Sequence, residues 1–106
     1  MVVEITSASE FDEKVIKASS SGLIVVDFWA TWCGPCVRFA PTFEGMDKEL
    51  AEVTFYKLDV DKVSEVTEQQ GISCMPTFKA YKNGECVGTI EGASEAKLRD
   101  LINSHK

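Results

Sequence analysis

A nearly uninterrupted apolar run from Leu23 to Ala30 is the feature that most constrains how this chain folds. A strand with one face in water alternates apolar and polar residues, whereas this run is apolar at both odd and even positions, with Asp27 as the exception. Such a run is typical of a strand that is covered on both faces. We therefore predict an α/β architecture, in which helices pack on both sides of a sheet.

The rest of the chain alternates strand and helix patterns around this run, with a parallel first half and an antiparallel hairpin at the end. Ser7 to Glu10 has the S-x-x-E form of a capping box, and Asn83-Gly84 suits the positive φ angles of a type I′ turn. The predicted order is βαβαβαββα. The predicted strands are Val2 to Ile5, Leu23 to Ala30, Val53 to Val60, Thr77 to Tyr81 and Cys86 to Glu91. The predicted helices are Phe11 to Ala18, the segment from the cysteine motif to about Ala51 with a kink at Pro41, Val63 to Gln70, and the segment after Ser94.

Length and charge narrow the functional classes. A chain of 106 residues predicts a single domain, 1–106, and its net charge of -6 repels phosphate backbones and anionic lipids. The longest aliphatic stretch, Leu23 to Val26, is far shorter than the roughly 20 residues that span a bilayer, and Met1 to Glu4 is not a cationic signal start. We expect a cytoplasmic protein that binds neither nucleic acid nor membranes.

The spacing of the four cysteines separates metal binding from redox chemistry. Cys33 and Cys36 form a C-x-x-C motif, whereas Cys74 and Cys86 are isolated. A zinc ribbon needs a second close pair, and the single histidine, His105, lies near the chain end, where we expect a solvated side chain. A Cys-His hydrolase would also lack its imidazole base. We predict a redox pair and no metal, with two packed core cysteines as the alternative.

The position of the motif assigns a role to each thiol. Cys33 follows the buried strand and precedes a helix, so unpaired backbone N–H groups and the positive end of the helix dipole favour its thiolate. Cys36 lies one turn into the helix, where burial keeps it protonated. Pro35 suits the first helical turn, and Gly34 leaves room for a partner backbone. We predict that Cys33 is the nucleophile and Cys36 the resolving thiol of disulfide exchange.

Asp27 and Lys57 each have two interpretations. Asp27 interrupts a strand whose neighbours are apolar on both faces, so it is either buried with a raised pKa, as a proton acceptor for Cys36, or turned out to water. The residues around Lys57 alternate in polarity, and this pattern alone favours a solvated lysine.

Two acid-free stretches, residues 28–43 and 69–84, point to the face on which the motif operates. If they meet in space, they form an apolar, weakly positive face that suits a thiolate and docked proteins, although strands are acid-poor in any case. We expect Trp32 to be exposed on this face and Trp29 to pack in the core. Pro76 fits a trans proline at the start of a strand when the sequence alone is considered.

The segment from Val25 to Cys36, VVDFWATWCGPC, resembles the active-site segment of the thioredoxin family. The likeness covers almost the whole chain, and Cys74 before Met75 is similar to the animal-type cytosolic members. The resemblance implies the thioredoxin fold, an α/β fold in which a central mixed five-stranded sheet is flanked by four helices. Further matching positions are Pro41, Lys57, Met75-Pro76-Thr77, Asn83-Gly84 and Gly92.

The resemblance also implies a function. It implies a small dithiol carrier that reduces disulfides in other proteins and is re-reduced by NADPH-dependent thioredoxin reductase. The implied substrates are proteins of peroxiredoxin, methionine sulfoxide reductase or ribonucleotide reductase type. No bound cofactor is implied, because the reversible Cys33–Cys36 disulfide carries the electrons and NADPH acts only through the reductase. An oxidant or isomerase is the alternative within redox chemistry, and a redox-gated binding module is the alternative from another class.

For individual residues, the resemblance implies that Lys57 lies beside Asp27 and that Pro76 is a cis proline facing the cysteine pair. Val37 departs from the family pattern, in which many members carry a basic residue directly after the second cysteine. The residues expected to shape the site or to dock a partner are Trp32, Gly34, Pro35, Lys57, Met75, Pro76 and Gly92.

Cys74 is a candidate regulatory thiol, because it directly precedes Met75-Pro76 within the second acid-free stretch. We expect a monomer in which oxidation joins two chains through Cys74. The alternative is a small buried apolar residue. Cys86, on an edge strand, receives no role.

Overall fold

A computed structural model describes residues 2–106, and Met1 lies outside the described residues. The order of strands and helices, βαβαβαββα, is confirmed. The strands are β1 (Val3–Ile5), β2 (Ile24–Trp29), β3 (Thr54–Asp59), β4 (Thr77–Lys82) and β5 (Glu85–Glu91), and the helices are α1 (Ala8–Phe11), α2 (Gly34–Glu49), α3 (Ser64–Gln69) and α4 (Glu95–His105).

The five strands form one mixed sheet in the order β1-β3-β2-β4-β5. β3 runs parallel to β1 and β2, whereas β4 is antiparallel to both β2 and β5. β2 therefore lies at the centre of the sheet, and every residue from Ile24 to Phe28 is buried. The prediction from the apolar run, a strand covered on both faces, is confirmed.

Residues paired across the strands form rows that alternate between the two faces of the sheet. One row contains Ile5, Leu58 and Phe28, and it packs in the core with residues of α1 and α3. On the other face, core residues of α2 and α4 pack against Phe78 of β4. The row on that second face holds the residues that matter most for the site: Glu4, Lys57, Asp27 and Phe78.

The predicted capping box is present with a different return bond. Ser7 is the N-cap of α1, and its Oγ accepts the backbone N–H of Glu10 at 3.1 Å. The Glu10 carboxylate accepts the N–H of Thr6 at 2.6 Å, one residue before the position that the motif predicts.

The first helix changes its hydrogen-bonding pattern along its length. After α1 the chain continues as a π-helical segment, Asp12–Lys17, and a 3₁₀ turn, Ala18–Ser21. The hydroxyl of the buried Ser19 donates to the carbonyl of Ile16 at 2.7 Å. Serine hydroxyls compete in this way with the helical hydrogen bonds, which accounts for the end of the regular helix here.

The β4–β5 hairpin turns at Asn83 and Gly84, whose φ angles of 54° and 80° suit the predicted type I′ turn. Two hydrogen bonds to Ser19 connect this turn to the end of the first helix. The carbonyl of Ser19 accepts the N–H of Asn83 at 2.9 Å, and its Oγ accepts the N–H of Gly84 at 2.8 Å.

The ends of α2 and α4 differ from the sequence expectation. α2 ends at Glu49 rather than near Ala51, and Pro41 lies within it. His105 is half-buried in the last turn of α4, and the expectation of a solvated side chain is wrong. The imidazole Nδ1 lies 3.1 Å from the Leu101 carbonyl, and the ammonium of Lys82 donates to the His105 carbonyl at 2.7 Å, which holds the last turn of α4 against the sheet. Within residues 2–106, none of the helices has the length and apolar character needed to cross a membrane.

Candidate active site

The C-x-x-C motif lies where β2 leads into α2. Cys33 is the N-cap of α2, and its Sγ accepts the backbone N–H of Cys36 at 3.3 Å. Pro35 occupies the first turn, as predicted. Cys33 and Cys36 form a disulfide with their Cα atoms 5.3 Å apart. The pair is therefore an oxidised dithiol at a helix start, and two separately packed core thiols are excluded.

The two sulfurs differ in their burial and their place in the helix. Cys33 is 6% exposed at the helix end, whereas Cys36 is 2% exposed and packs in the core one turn later. The unpaired N–H groups and the dipole of the helix N-terminus stabilise negative charge on Cys33 once the disulfide is reduced. This environment favours a thiolate at Cys33 and a neutral thiol at Cys36.

Asp27 is buried in the middle of β2, with only 5% of its surface exposed. Its Oδ1 has no hydrogen-bond partner within the described chain. Burial raises the pKa of this carboxyl from its ordinary 3.8 to about 7, and the charge of Lys57 opposes that rise. Of the two interpretations, the structure shows the buried acid and not one turned out to water. Near neutral pH, Asp27 can therefore both take up and release a proton.

A small cavity connects Asp27 with the resolving thiol. Its volume is about 130 Å³, and Asp27, Cys36 and Lys57 all contribute to its wall. The remaining lining residues are Trp29, Val37 and Ala40.

Lys57 is half-buried on β3, directly opposite Asp27 in the sheet register. Its Nζ lies 5.4 Å from the centre of the Trp29 ring, which is within the range of a cation–π contact. The alternating pattern along β3 favoured a solvated lysine, and that interpretation is wrong. The side of the sheet that Lys57 faces is covered by α2, so the residues flanking it in the sequence do not decide its burial.

The two tryptophans have different surroundings. Trp29 packs against the core cluster, as expected, but it is only half-buried, and its Nε1 is buried with no partner among residues 2–106. Trp32 is 66% exposed beside Cys33, which confirms the prediction. Its indole N–H donates to Oδ2 of Asp61 at 2.8 Å.

Asp61 is a site residue that the sequence analysis did not identify. It follows the carboxyl end of β3, which lies next to the carboxyl end of β2 because the two strands are parallel. That topology was the available indication that residues after β3 meet residues after β2. Asp61 also places a carboxylate beside Trp32, so the face bearing the motif is not free of acids.

The Met75–Pro76 peptide bond is cis, as the family resemblance implied and as the sequence alone did not. The carbonyl of Pro76 accepts the N–H of Gly92 at 2.9 Å, and Gly92 has a φ of 99° that favours glycine. Met75 is half-buried and packs against the core cluster that includes Cys33. The second acid-free stretch, residues 69–84, therefore meets the first, residues 28–43. The two stretches also pair directly in the sheet, where Phe28 of β2 lies opposite Thr77 of β4.

The two remaining cysteines, Cys74 and Cys86, are free and exposed. The carbonyl of Cys74 accepts the hydroxyl of Thr77 at 2.6 Å. Exposure excludes the interpretation of Cys74 as a buried apolar residue. Among residues 2–106, no group of three or more metal-ligating side chains is close enough to hold a metal ion.

Comparisons with known proteins agree with this geometry. The thioredoxin family model matches residues 2–104. The chain is 49% identical to thioredoxin 1 of Plasmodium falciparum over 105 residues, covering 99% of this chain and 98% of that protein.

Two solved structures are also similar. That of Fasciola hepatica thioredoxin is 43% identical, with a TM-score of 0.93 over 99% of this chain and all of that one. A structure that addresses the thiol resolving mechanism in yeast mitochondrial 1-Cys peroxiredoxin via glutathione/thioredoxin systems is 30% identical, with a TM-score of 0.89 over 97% of this chain and 94% of that one.

The relatives named above include an animal, a protozoan and a yeast at similar levels of identity, so the likeness to animal-type cytosolic members stays a prediction. A family match over nearly the whole chain coincides with a disulfide at the start of α2, a buried acid beside it and a cis proline. The chain belongs to the thioredoxin family, and it is a thiol-disulfide oxidoreductase.

Proposed function

We propose that this chain reduces disulfides in other proteins, with Cys33 as the attacking thiolate and Cys36 as the resolving thiol. The observation that carries the proposal is the asymmetry of the pair. Cys33 lies at the helix start, where the helix N-terminus stabilises its thiolate, and Cys36 is buried one turn later.

In the first step, the Cys33 thiolate attacks one sulfur of the substrate disulfide. A Cys33–substrate disulfide forms, the substrate disulfide breaks, and the departing substrate sulfur leaves with the electron pair and takes up a proton. The backbone N–H of Cys36, which contacts Sγ of Cys33, stabilises the negative charge before the attack.

In the second step, Cys36 attacks Sγ of Cys33 and releases the second substrate thiolate. Cys36 must lose its proton to do so, and Asp27 faces it across the shared cavity. With a pKa of about 7, an ionised Asp27 accepts this proton near neutral pH. The substrate gains two electrons and two protons, and the chain is left with the Cys33–Cys36 disulfide.

The surface around the pair suits an extended partner segment. Trp32 is exposed on one side of Cys33, and the family resemblance implies that the backbone of Met75, next to Pro76, hydrogen-bonds an incoming strand. Peroxiredoxins are proposed as substrates, since a similar structure concerns the resolution of a peroxiredoxin thiol. Methionine sulfoxide reductases and ribonucleotide reductases are proposed on the family resemblance.

The electrons that re-reduce the disulfide are proposed to come from NADPH through a thioredoxin reductase. The chain, a thioredoxin reductase and NADPH are mixed with insulin, and the loss of NADPH absorbance is followed. We expect consumption that requires all the components and disappears in Cys33→Ser. Consumption that persists in Cys33→Ser, or that is absent with the intact chain, would contradict the proposal.

We also propose a cytoplasmic location. Two exposed free thiols, Cys74 and Cys86, persist best in a reducing compartment. Cell fractionation with an antibody against the chain tests this location, and recovery in a secreted or membrane-enclosed fraction would contradict it.

A further inference from the structure

Three side-chain polar atoms are buried without a hydrogen-bond partner among residues 2–106: Asp27 Oδ1, Trp29 Nε1 and Glu4 Oε2. The first two belong to the cavity beside Cys36. The third belongs to β1, which contributes no residue to the mechanism described above. Because burying an unpaired carboxylate oxygen is costly, the surroundings of Glu4 call for an explanation.

The sheet register places Glu4 in the same row as the site. Glu4 pairs with Lys57 across β1 and β3, and Lys57 pairs with Asp27 across β3 and β2. Directly paired residues point to the same face of a sheet, and neighbouring strands lie roughly 4.8 Å apart. Lys57 therefore stands between two carboxylates, one on each neighbouring strand.

Neither carboxylate holds Lys57 firmly. Among residues 2–106, Lys57 forms no ion pair within 4.0 Å, and its Nζ lies 5.4 Å from the Trp29 ring centre. Its long, flexible stem and three donors allow the ammonium to approach either neighbour.

The other charged groups around this row have partners of their own. On β3, Asp59 accepts the N–H of Asp61 at 2.9 Å. On α2, the Glu44 carboxylate accepts the N–H of Val2 at 3.1 Å, and the α2 residues that line the cavity, Cys36, Val37 and Ala40, carry no charge. β4 contributes the apolar Phe78 opposite Asp27.

We propose that Glu4 is a positioning residue of the active site: its carboxylate attracts the ammonium of Lys57 and so weakens the attraction between that ammonium and Asp27, the proton acceptor. This proposal rests on the proposed role of Asp27. When Asp27 takes the proton of Cys36, an S–H bond breaks and an O–H bond forms, and the ammonium of Lys57 turns towards Glu4. Lys57 alone would stabilise the ionised Asp27 and lower its affinity for the proton, whereas Glu4 restores part of that affinity.

The test is a carbon-13 NMR titration of the Asp27 carboxyl in the oxidised full-length chain, in which Cys33 and Cys36 do not titrate. We expect Glu4→Gln to lower the Asp27 midpoint by about half a pH unit or more, because the competing carboxylate is gone. Lys57→Met should raise the midpoint. Glu68→Gln, which removes one negative charge from an exposed position on α3, should leave it unchanged.

The double variant Glu4→Gln/Lys57→Met distinguishes an effect of Glu4 that acts through Lys57 from direct repulsion between the Glu4 and Asp27 carboxylates. Glu4 and Asp27 lie two strand spacings apart, roughly 10 Å, so their direct repulsion is weaker than the attraction of each carboxylate to the lysine between them. We expect Glu4→Gln to shift the Asp27 midpoint clearly less once Lys57 is absent. An unchanged midpoint in Glu4→Gln, or an equal shift with and without Lys57, would overturn the proposal.

Two further measurements keep the result interpretable. Glu4→Met, which fills the same space without charge, replaces Glu4→Gln if the latter does not fold, and it must give the same downward shift. Resolution of a mixed disulfide by Cys36 in Asp27→Asn tests the role of Asp27 separately. Unaltered resolution there would contradict the proposed function, whereas the titration tests only the link between Glu4 and Asp27.

Discussion

Two aspartates of the site show how their surroundings determine what a carboxylate does. Asp27 is buried in β2 with an unpartnered oxygen, and burial raises its pKa to about 7. Asp61 is exposed and accepts a hydrogen bond from Trp32. The first is placed to exchange a proton with Cys36, and the second holds an aromatic side chain beside Cys33.

Asp27→Asn should stabilise the chain at neutral and alkaline pH. The folded pKa of about 7 lies above the ordinary 3.8, so Asp27 contributes no penalty below pH 3.8, where it is neutral in both states. Between these values the unfolded chain ionises first and stability falls, and above pH 7 the cost levels off at a value on the order of 4 kcal/mol. Urea unfolding at several pH values measures this difference. A gap between parent and variant that does not change from pH 4 to pH 8 would contradict the account.

The burial of Asp27 was predictable from the sequence, because a strand that is apolar at both odd and even positions has no face exposed to solvent. The surroundings of Lys57 and Asp61 did not follow from local pattern. Lys57 is covered by a helix that precedes it in the chain, and Asp61 meets Trp32 from 29 positions away. Contacts of this kind depend on strand order, which alternation within one strand does not encode.

At the level of elements, β2 and α2 were predictable and the first helix was only partly so. β2 is apolar on both faces, and the start of α2 is specified by a cap residue and by Pro35. The 3₁₀ turn Ala18–Ser21, which ends the first helix, contains Ser19, whose hydroxyl bonds to the Ile16 carbonyl and whose Oγ is also tied to the β4–β5 turn, far away in the sequence. Apolar spacing carries no information about such a tie.

Ser19→Ala should destabilise the fold by about 0.5 to 1.5 kcal/mol, because the buried Ser19 side chain no longer accepts the N–H of Gly84 in a partly buried hydrogen bond. Ser20→Ala is the matched control, since Ser20 is exposed and bonds only within its own helix. Thermal or urea unfolding of the two variants should differ by this amount. Equal stability of the two variants would mean that the tie to the hairpin contributes nothing.

On the scale of the whole molecule, an acidic chain with a net charge of -6 presents two acid-free stretches next to each other at the redox pair. Asp61 interrupts this face, so the charge pattern described it only in part. Cys74 lies in the second stretch and is exposed. Oxidation through Cys74 would pair the same patch on two chains and cover both active sites.

Mild oxidation should therefore give a covalent dimer through Cys74 that is inactive until reduced. Non-reducing electrophoresis compares the parent with Cys74→Ser and Cys86→Ser, the latter being the matched change at the other exposed free thiol. We expect the dimer in the parent and in Cys86→Ser only. A dimer that survives in Cys74→Ser and is lost in Cys86→Ser would assign the role to β5 instead.

Attack by Cys33 and resolution by Cys36 are tested by trapping the mixed disulfide. Cys36→Ser and Cys33→Ser are each made in a background lacking Cys74 and Cys86, incubated with insulin and analysed by intact mass spectrometry. We expect a stable adduct through Cys33 in Cys36→Ser and none in Cys33→Ser, where the remaining thiol is 2% exposed. An adduct through Cys36 in Cys33→Ser, with none in Cys36→Ser, would contradict this expectation.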